Sequence, residues 1–355
     1  MLNRSLFSII LGIAVLGLFG FSQSAFALDP NLSNGPGEGT ISVKVDGFGA
    51  FGSAVGPDSE NAFFNSVGGG SLGTTFESGI AIEIGTGGTR SFLTSGFVGI
   101  SGNLPNPTIM PDGSSTFSNS GLDFALSQTL EPVFFGGSQT GTILIQTYTI
   151  TNPGSTTADF ELVRYLDGDL FFDGSLGDQD GGGRIIIDGT EILFETDSAT
   201  NSATSTNYVG ITAEGGTEPS AGNRYEIDSF SGLRTRIIAG TALDNMISGD
   251  TMGTDMFIDP PRYDVSLALR NIFSLGGGDS VVYVTKTIFG TGAPEDFRFP
   301  QPIGGNILPL DTAALLIAGI DTNPYSILAG FTLLGAIAFG ALYYTSKRRD
   351  KVIFN

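Results

Sequence analysis

Short runs in which apolar and polar residues alternate recur from Ile41 to Phe289, and they constrain this chain more than any other feature. TILIQTYTI (142–150), EILFET (191–196), NYVGIT (207–212) and SVVYVTKTIF (280–289) are rich in Val, Ile, Thr, Tyr and Phe. A period of two in such residues suits strands buried on one face. ISVKV (41–45), GIAIEI (79–84), FLTSGFVGI (92–100), LDFAL (122–126), DFELVRYL (159–166), RIII (184–187), RYEI (224–227) and LRTRIIA (233–239) read the same way. In YDVSLALRNIF (263–273), Val265, Leu267 and Leu269 share one face, while Asp264, Ser266 and Arg270 take the other or its edge. Glycine supplies 53 of 355 residues, well above the usual ~7%, and falls mostly at the breaks between runs. Short strands joined by tight turns predict an all-β fold, a large antiparallel β-sandwich. A parallel α/β fold would need amphipathic connectors of helix length. Thr241 to Ser248 is the one stretch suited to a short helix, and SATNSATSTN (198–207) is the best candidate for an internal boundary.

The two ends of the chain carry different signals. Met1 to Ala27 has one basic residue, Arg4, an apolar run from Leu6 to Phe21 and the small-residue exit Ala25-Phe26-Ala27. This is the pattern of a secretory signal cut before Leu28; the alternative is an uncleaved N-terminal anchor helix. Residues 28–40 are rich in Pro, Gly and Asn and read as a leading linker, with regular structure starting at Ile41. Tyr325 to Tyr344 contains no charge, and about twenty residues at ~1.5 Å rise make roughly 30 Å of helix, enough to cross a bilayer. Asn323 and Pro324 suit its N-cap and first position, Tyr325, Tyr343 and Tyr344 suit the interfaces, and Lys347, Arg348, Arg349 and Lys351 follow directly. The expectation is a C-terminal transmembrane α-helix at 324–345, a basic cytoplasmic tail at 346–355 and a sandwich (41–300) outside the membrane. A buried core helix would explain neither the basic cluster nor its position.

With Arg4, Asp350 and the four basic tail residues set aside, the remaining 11 basic and 35 acidic residues give −24. Such a surface repels nucleic acid and anionic lipid, and suits cation-rich water, divalent metals or simple solubility. Cysteine is absent, so a core and not a disulfide framework must hold the fold. Histidine and tryptophan are absent too. That excludes Ser-His-Asp and Cys-His catalysis, imidazole bases and His-ligated zinc, copper or haem.

TYTITNPGSTTADFELVRYLD (147–167) and NIFSLGGGDSVVYVTKTIF (271–289) each read as strand, turn and strand, and are expected to form hairpins. They resemble hairpins of prokaryotic extracellular Ig-like and supersandwich β-modules, which implies a supersandwich or two packed Ig-like sandwiches. NILPLDTAALLIAG (306–319), the apolar span and SKRR (346–349) form a motif, a helix and a basic cluster in order. Through Leu310, Asp311, Thr312, Ala314, Leu315, Leu316, Ala318 and Gly319, this tail resembles the C-terminal anchoring segments of archaeal surface proteins. The Pro-Glu-Pro of exosortase substrates is missing, and Leu308-Pro309-Leu310-Asp311-Thr312 departs from the sortase pattern L-P-x-T-G.

The densest polar cluster is Asp167, Asp169, Asp173, Asp178 and Asp180, in a Gly-rich stretch leaving a strand. Calcium takes six to eight hard oxygen ligands on a flexible backbone, and this stretch is the candidate calcium site. The spacing is not that of an EF-hand, because Phe171 and Phe172 occupy the fifth and sixth positions and Asp178 the twelfth. The bland alternative is a solvated, turn-rich loop. Carboxylate pairs also serve as general acid and base on glycosidic bonds, although the sugar platforms that tryptophan provides are lacking and most of the 28 Phe are better explained as core. Asn31-Leu32-Ser33 is a glycosylation sequon within the linker. Together these features predict a membrane-anchored structural or adhesive protein of the cell surface that meets envelope glycans or surface proteins. The rival expectation is a carbohydrate-active enzyme on the same scaffold.

Overall fold

The computed structural model describes residues 30–55, 61–85, 87–101, 104–172, 180–197, 207–219, 223–253, 257–259 and 263–300. The expected signal sequence, anchor motif, membrane span Tyr325 to Tyr344 and basic tail lie outside these residues. Among the described residues no helix is long and apolar enough to cross a membrane.

The chain first forms a four-stranded antiparallel meander, β1 (Asn31–Ser33), β2 (Thr40–Lys44), β3 (Ala62–Ser66) and β4 (Gly70–Gly73). Then β5 (Thr75–Ile84) and β6 (Ser91–Leu93) open a second sheet, and β7 (Gly96–Phe97) pairs with β8 (Ile100–Ser101) in a small ribbon. A larger sheet begins with β9 (Thr108–Ile109), β10 (Ser115–Asn119), β11 (Leu122–Phe135) and β12 (Ser138–Thr151). β13 (Ala158–Gly168) returns to the second sheet, and β14 (Gly181–Ile187), β15 (Thr190–Thr196) and β16 (Asn207–Glu214) go back to the large one. The second sheet gains β17 (Tyr225–Ser229), β18 (Met246–Ile247) and β19 (Val265–Leu275), with helix α1 (Phe230–Ile238) after β17; β20 (Ser280–Thr291) completes the large sheet. The spatial orders are β14-β15-β16-β20-β12-β11-β10-β9 and β18-β17-β19-β13-β5-β6. Every pair of named strands is antiparallel except β17 with β18.

Alternation along each strand builds the layers. Leu144, Tyr148 and Ile150 of β12 join Ile80, Ile82, Leu162, Leu166, Leu267 and Leu269 of the six-stranded sheet in one core between the sheets, and Ile41, Val43 and Phe64 of the meander extend it. Strands β5, β13 and β19 are buried on both faces. Their outer face, with Ala81, Val163, Tyr165 and Ala268, lies under Leu233 and Ile237 of α1 and under Phe92 and Phe97. Arg164, wholly buried, ties the sheets by donating to Gly79 O (2.9 Å), Ser78 Oγ (2.7 Å) and Thr287 Oγ1 (2.8 Å). Asp46 closes the loop after β2: its carboxylate accepts from the amides of Phe48 (2.9 Å), Ala50 (2.8 Å) and Ser95 (2.6 Å). Burial outweighs these bonds and raises its pKa to about 6.

The two expected hairpins are instead corners between sheets. β12 and β13 belong to different sheets, as do β19 and β20. Asn152 holds both corners together: its side-chain amide donates to Thr156 O (2.8 Å) and Leu275 O (2.9 Å), and its backbone carbonyl accepts from the Gly278 amide (2.8 Å). At Gly277 a Cβ would stand 2.6 Å from the Ser155 carbonyl carbon, so the second corner passes the first only without a side chain. An Asn-Pro-Gly or Gly-rich turn reverses the chain equally well within a sheet or across the ~10 Å between sheets.

Three smaller expectations also change. LRTRIIA lies largely in helix α1, because Leu233 and Ile237 are four residues apart and bury one face. Thr241 to Ser248 contains no helix; Met246–Ile247 adds a short parallel strand beside β17. The leading linker holds β1, so the sequon Asn31-Leu32-Ser33 sits on a strand paired with β2, with Asn31 exposed. Across the polar stretch 198–207, β15 and β16 are hydrogen-bonded neighbours.

Candidate functional site

Along β13, Glu161, Val163, Tyr165 and Asp167 share the outer face by strand alternation. Asp167 stands opposite Glu77 of β5 and Ser266 of β19, and Ser266 stands opposite Asp228 of β17. These four residues form one polar row across the sheet. Ser266 Oγ donates to Asp167 Oδ1 (3.1 Å), and Arg234 of α1 reaches down to Glu77 with Nε (2.7 Å) and Nη2 (2.8 Å). Even so, burial dominates and lifts the Glu77 carboxyl to about 7. Pairing between β13 and β5 slips between Asp167 and Gly168, a bulge at the end of the row.

Glu195 of β15 approaches this strand end from the facing sheet. The Gly168 amide donates to its Oε2 (3.1 Å), and its Oε1 has no hydrogen-bond partner among the described residues, although the side chain is fully buried. A Cβ on Gly168 would sit 2.1 Å from Oε2, so only glycine lets the carboxylate lie against the backbone here. Asp169 follows β13 by one residue, Asp264 precedes β19 by one, and Asp180 forms an isolated bridge with Tyr263 just ahead of β14. Burial, and then the charges of Asp180, Asp167, Asp264 and Asp169, push the Glu195 carboxyl well above the ordinary range. Burial, with Asp264 next, does the same to Asp167. Burial raises Asp169 as well.

Of the five aspartates singled out in the sequence, Asp167, Asp169 and Asp180 lie among the described residues, and their charges, with that of Asp264, act on Glu195. Asp173 and Asp178 lie outside the described residues. Among the described residues no group of three or more acidic side chains could hold a metal ion. Glu195 escaped the sequence because its strand is buried on both faces: Ile192 and Phe194 pack on one side, and Leu193 shares the other with Glu195. Asp264 was visible only as the polar partner in an alternating run.

No family model matches the chain, and no curated protein matches it. A solved structure described as a polysaccharide lyase aligns over 73% of this chain at 11% identity, with a TM-score of 0.37. The chain spans about a third of that protein, 33% of its length.

The open surfaces differ in chemistry from the acid cluster. A groove of about 550 Å³ lies over β9 to β12 and is lined by Thr108, Thr116, Ser118, Thr149 and Thr151 with one carboxylate, Asp123. Asp123 accepts from Ser118 Oγ at 2.6 Å. A smaller cleft of about 100 Å³ adjoins the β11–β12 turn, where Phe134 and Phe135 are more than half exposed. Asp296 and Arg298 are the charged groups on its wall.

Proposed function

We propose that this chain is a membrane-anchored protein of the cell surface whose β-sandwich is a structural or binding module of the envelope. The observation that carries the reading is where the carboxylates lie. Hydrolysis of a glycosidic bond needs two carboxyl groups facing one substrate. Here Glu195 and Asp167 are 0% and 2% exposed, while the 550 Å³ groove offers a polymer a single carboxylate beside its hydroxyls and Phe117 and Phe124. A shelf of threonine and serine on a flat sheet face suits hydrogen bonding to sugar hydroxyls without chemistry on them. The anchor rests on the charge-free stretch Tyr325 to Tyr344 and the basic residues after it.

Full-length protein in detergent, incubated with purified envelope polysaccharide, is expected to bind the polymer and leave its chain length unchanged, and Thr149→Tyr in the groove is expected to weaken binding at least fivefold. An epitope tag after Asn355 is expected to be reached by antibody only once cells are permeabilised. Release of shortened or unsaturated oligosaccharides would favour the enzyme, and a tag accessible on intact cells would overturn the topology.

A further inference from the structure

We propose that the groove over β9 to β12 selects polysaccharide free of acidic groups, laid across the strands, and that Asp123 is the residue that sets this selectivity. The inference rests on the polymer-binding reading above and deepens it. The first observation is the array of side chains on this face. Register places Thr108, Thr116, Ala125, Thr149 and Val282 side by side across β9, β10, β11, β12 and β20. Two residues along each strand, Ser118, Asp123, Thr151 and Ser280 form a second row. With ~4.8 Å between strands and ~3.4 Å rise per residue, the rows lie roughly 7 Å apart and the first runs about 19 Å from end to end. All members of the first row are exposed. The second row satisfies itself: Ser118 Oγ donates to Asp123 Oδ1 at 2.6 Å, and the Thr151 and Ser280 hydroxyls are 2.8 Å apart. The hydroxyls of Thr108, Thr116 and Thr149 have no such side-chain partner among the described residues and stand ready for a ligand. A sugar unit in an extended polymer advances by about the width of one strand. A chain along the first row therefore meets hydroxyl and methyl groups in turn.

The second observation is charge. Among the described residues the lining contains Asp123 and no lysine or arginine. The basic residue of β20 is Lys286, which shares the face of Val282 by strand alternation but lies four residues on, with its Nζ held by Glu214 at 2.5 Å. The net charge of −20 adds to the same field. A uronate or phosphate laid along the row would bring its charge within a few ångströms of Asp123, inside the ~8 Å screening length of physiological salt, with no cation to meet it. A neutral sugar instead offers hydroxyls to the carboxylate, and hydrogen bonds to a charged acceptor are the stronger kind.

The test is competition. Full-length protein in detergent is bound to purified envelope polysaccharide and displaced with β-1,4-glucan oligosaccharides, or with the same oligomers oxidised at C6 to glucuronate. The neutral oligomers are expected to displace the polymer, and the oxidised ones to be at least about fivefold weaker at low salt. That gap is expected to narrow as salt rises. Asp123→Lys is expected to reverse the order, and the milder Asp123→Asn, which can still accept from Ser118, to close most of the gap. Thr116→Val keeps the shape of the side chain and is expected to weaken the neutral oligomers about threefold without changing the preference. Equal or tighter displacement by the oxidised oligomers, or a preference untouched by Asp123→Lys, overturns the inference while leaving polymer binding intact. Failure of the envelope polysaccharide itself to bind would remove the reading on which the selectivity rests, and the selectivity with it.

Discussion

Strand β13 carries a carboxylate near each end of its outer face, and the two are treated in opposite ways. Glu161 receives Arg90 Nε at 2.5 Å and Arg270 Nε at 2.7 Å. Burial works against its ionisation, but the Arg270 hydrogen bond and both guanidinium charges outweigh burial and hold its pKa below the usual range. Six residues along, about 20 Å at strand rise, Asp167 has a serine partner, and burial followed by the charges of Asp264, Asp169 and Glu77 moves its pKa upward. One end is neutralised by the chain's own arginines. At the other end Glu77 is the one carboxylate that Arg234 reaches, and burial favours the protonated forms of Asp167 and Glu195. Burial alone does not decide the state of a carboxylate; the neighbours do.

The neutralised end offers the largest effect. Arg90→Ala removes the Glu161 bond and the donors to Thr241 O and Ile237 O, which hold the end of helix α1. Taking one partner from a buried ion pair costs about 3 to 5 kcal/mol, to be read from urea unfolding. Glu161→Gln in the same background is expected to recover part of the loss. If Glu195→Gln proves as damaging as Arg90→Ala, the contrast between the two ends fails.

Much of one end was legible in the sequence and little of the other. Asp167, Asp169 and Asp180 stood out because several acids among glycines rarely sit in a core. The arginines around Glu161 did not stand out, because Arg90 and Arg270 are 71 and 109 residues away in the chain and only the paired strands bring them together. The sandwich followed from alternation, which is local. The corners at Asn152 and Gly277 did not, since a turn motif specifies reversal of the chain and not the sheet to which the next strand returns. Leu233 and Ile237 satisfied both a strand and a helical spacing, and the acids Glu77 and Glu226, paired with Arg234 and Arg236 of α1, were needed to choose.

A pH series sharpens the comparison at a smaller scale. Groups whose folded pKa is raised bind protons more readily in the folded chain, so stability falls as pH rises from the unfolded to the folded value. For Asp46 that window runs from 3.8 to about 6, and for Glu77 and Glu226 from 4.5 to about 7. Glu161 has the opposite sign: its contribution is present above 4.5 and is lost as pH falls through its lowered value. Unfolding free energy is expected to increase by about 1 to 3 kcal/mol from pH 8 to roughly pH 5, then to fall in stronger acid. A flat profile above pH 5 would remove the raised acids from the argument.

The smallest effect belongs to the other end. Glu195→Gln keeps the shape of the side chain, and its carbonyl can still accept from the Gly168 amide. Burial already pushes the Glu195 carboxyl well above the ordinary range, so the amide replaces a group that is costly to ionise. The substitution is therefore expected to leave stability near pH 7 unchanged or raise it by about 1 kcal/mol. Urea unfolding of the two proteins side by side measures the difference. A loss above about 2 kcal/mol would mean that Glu195 already has a favourable partner when folded, and that this end of β13 is neutralised by the protein after all.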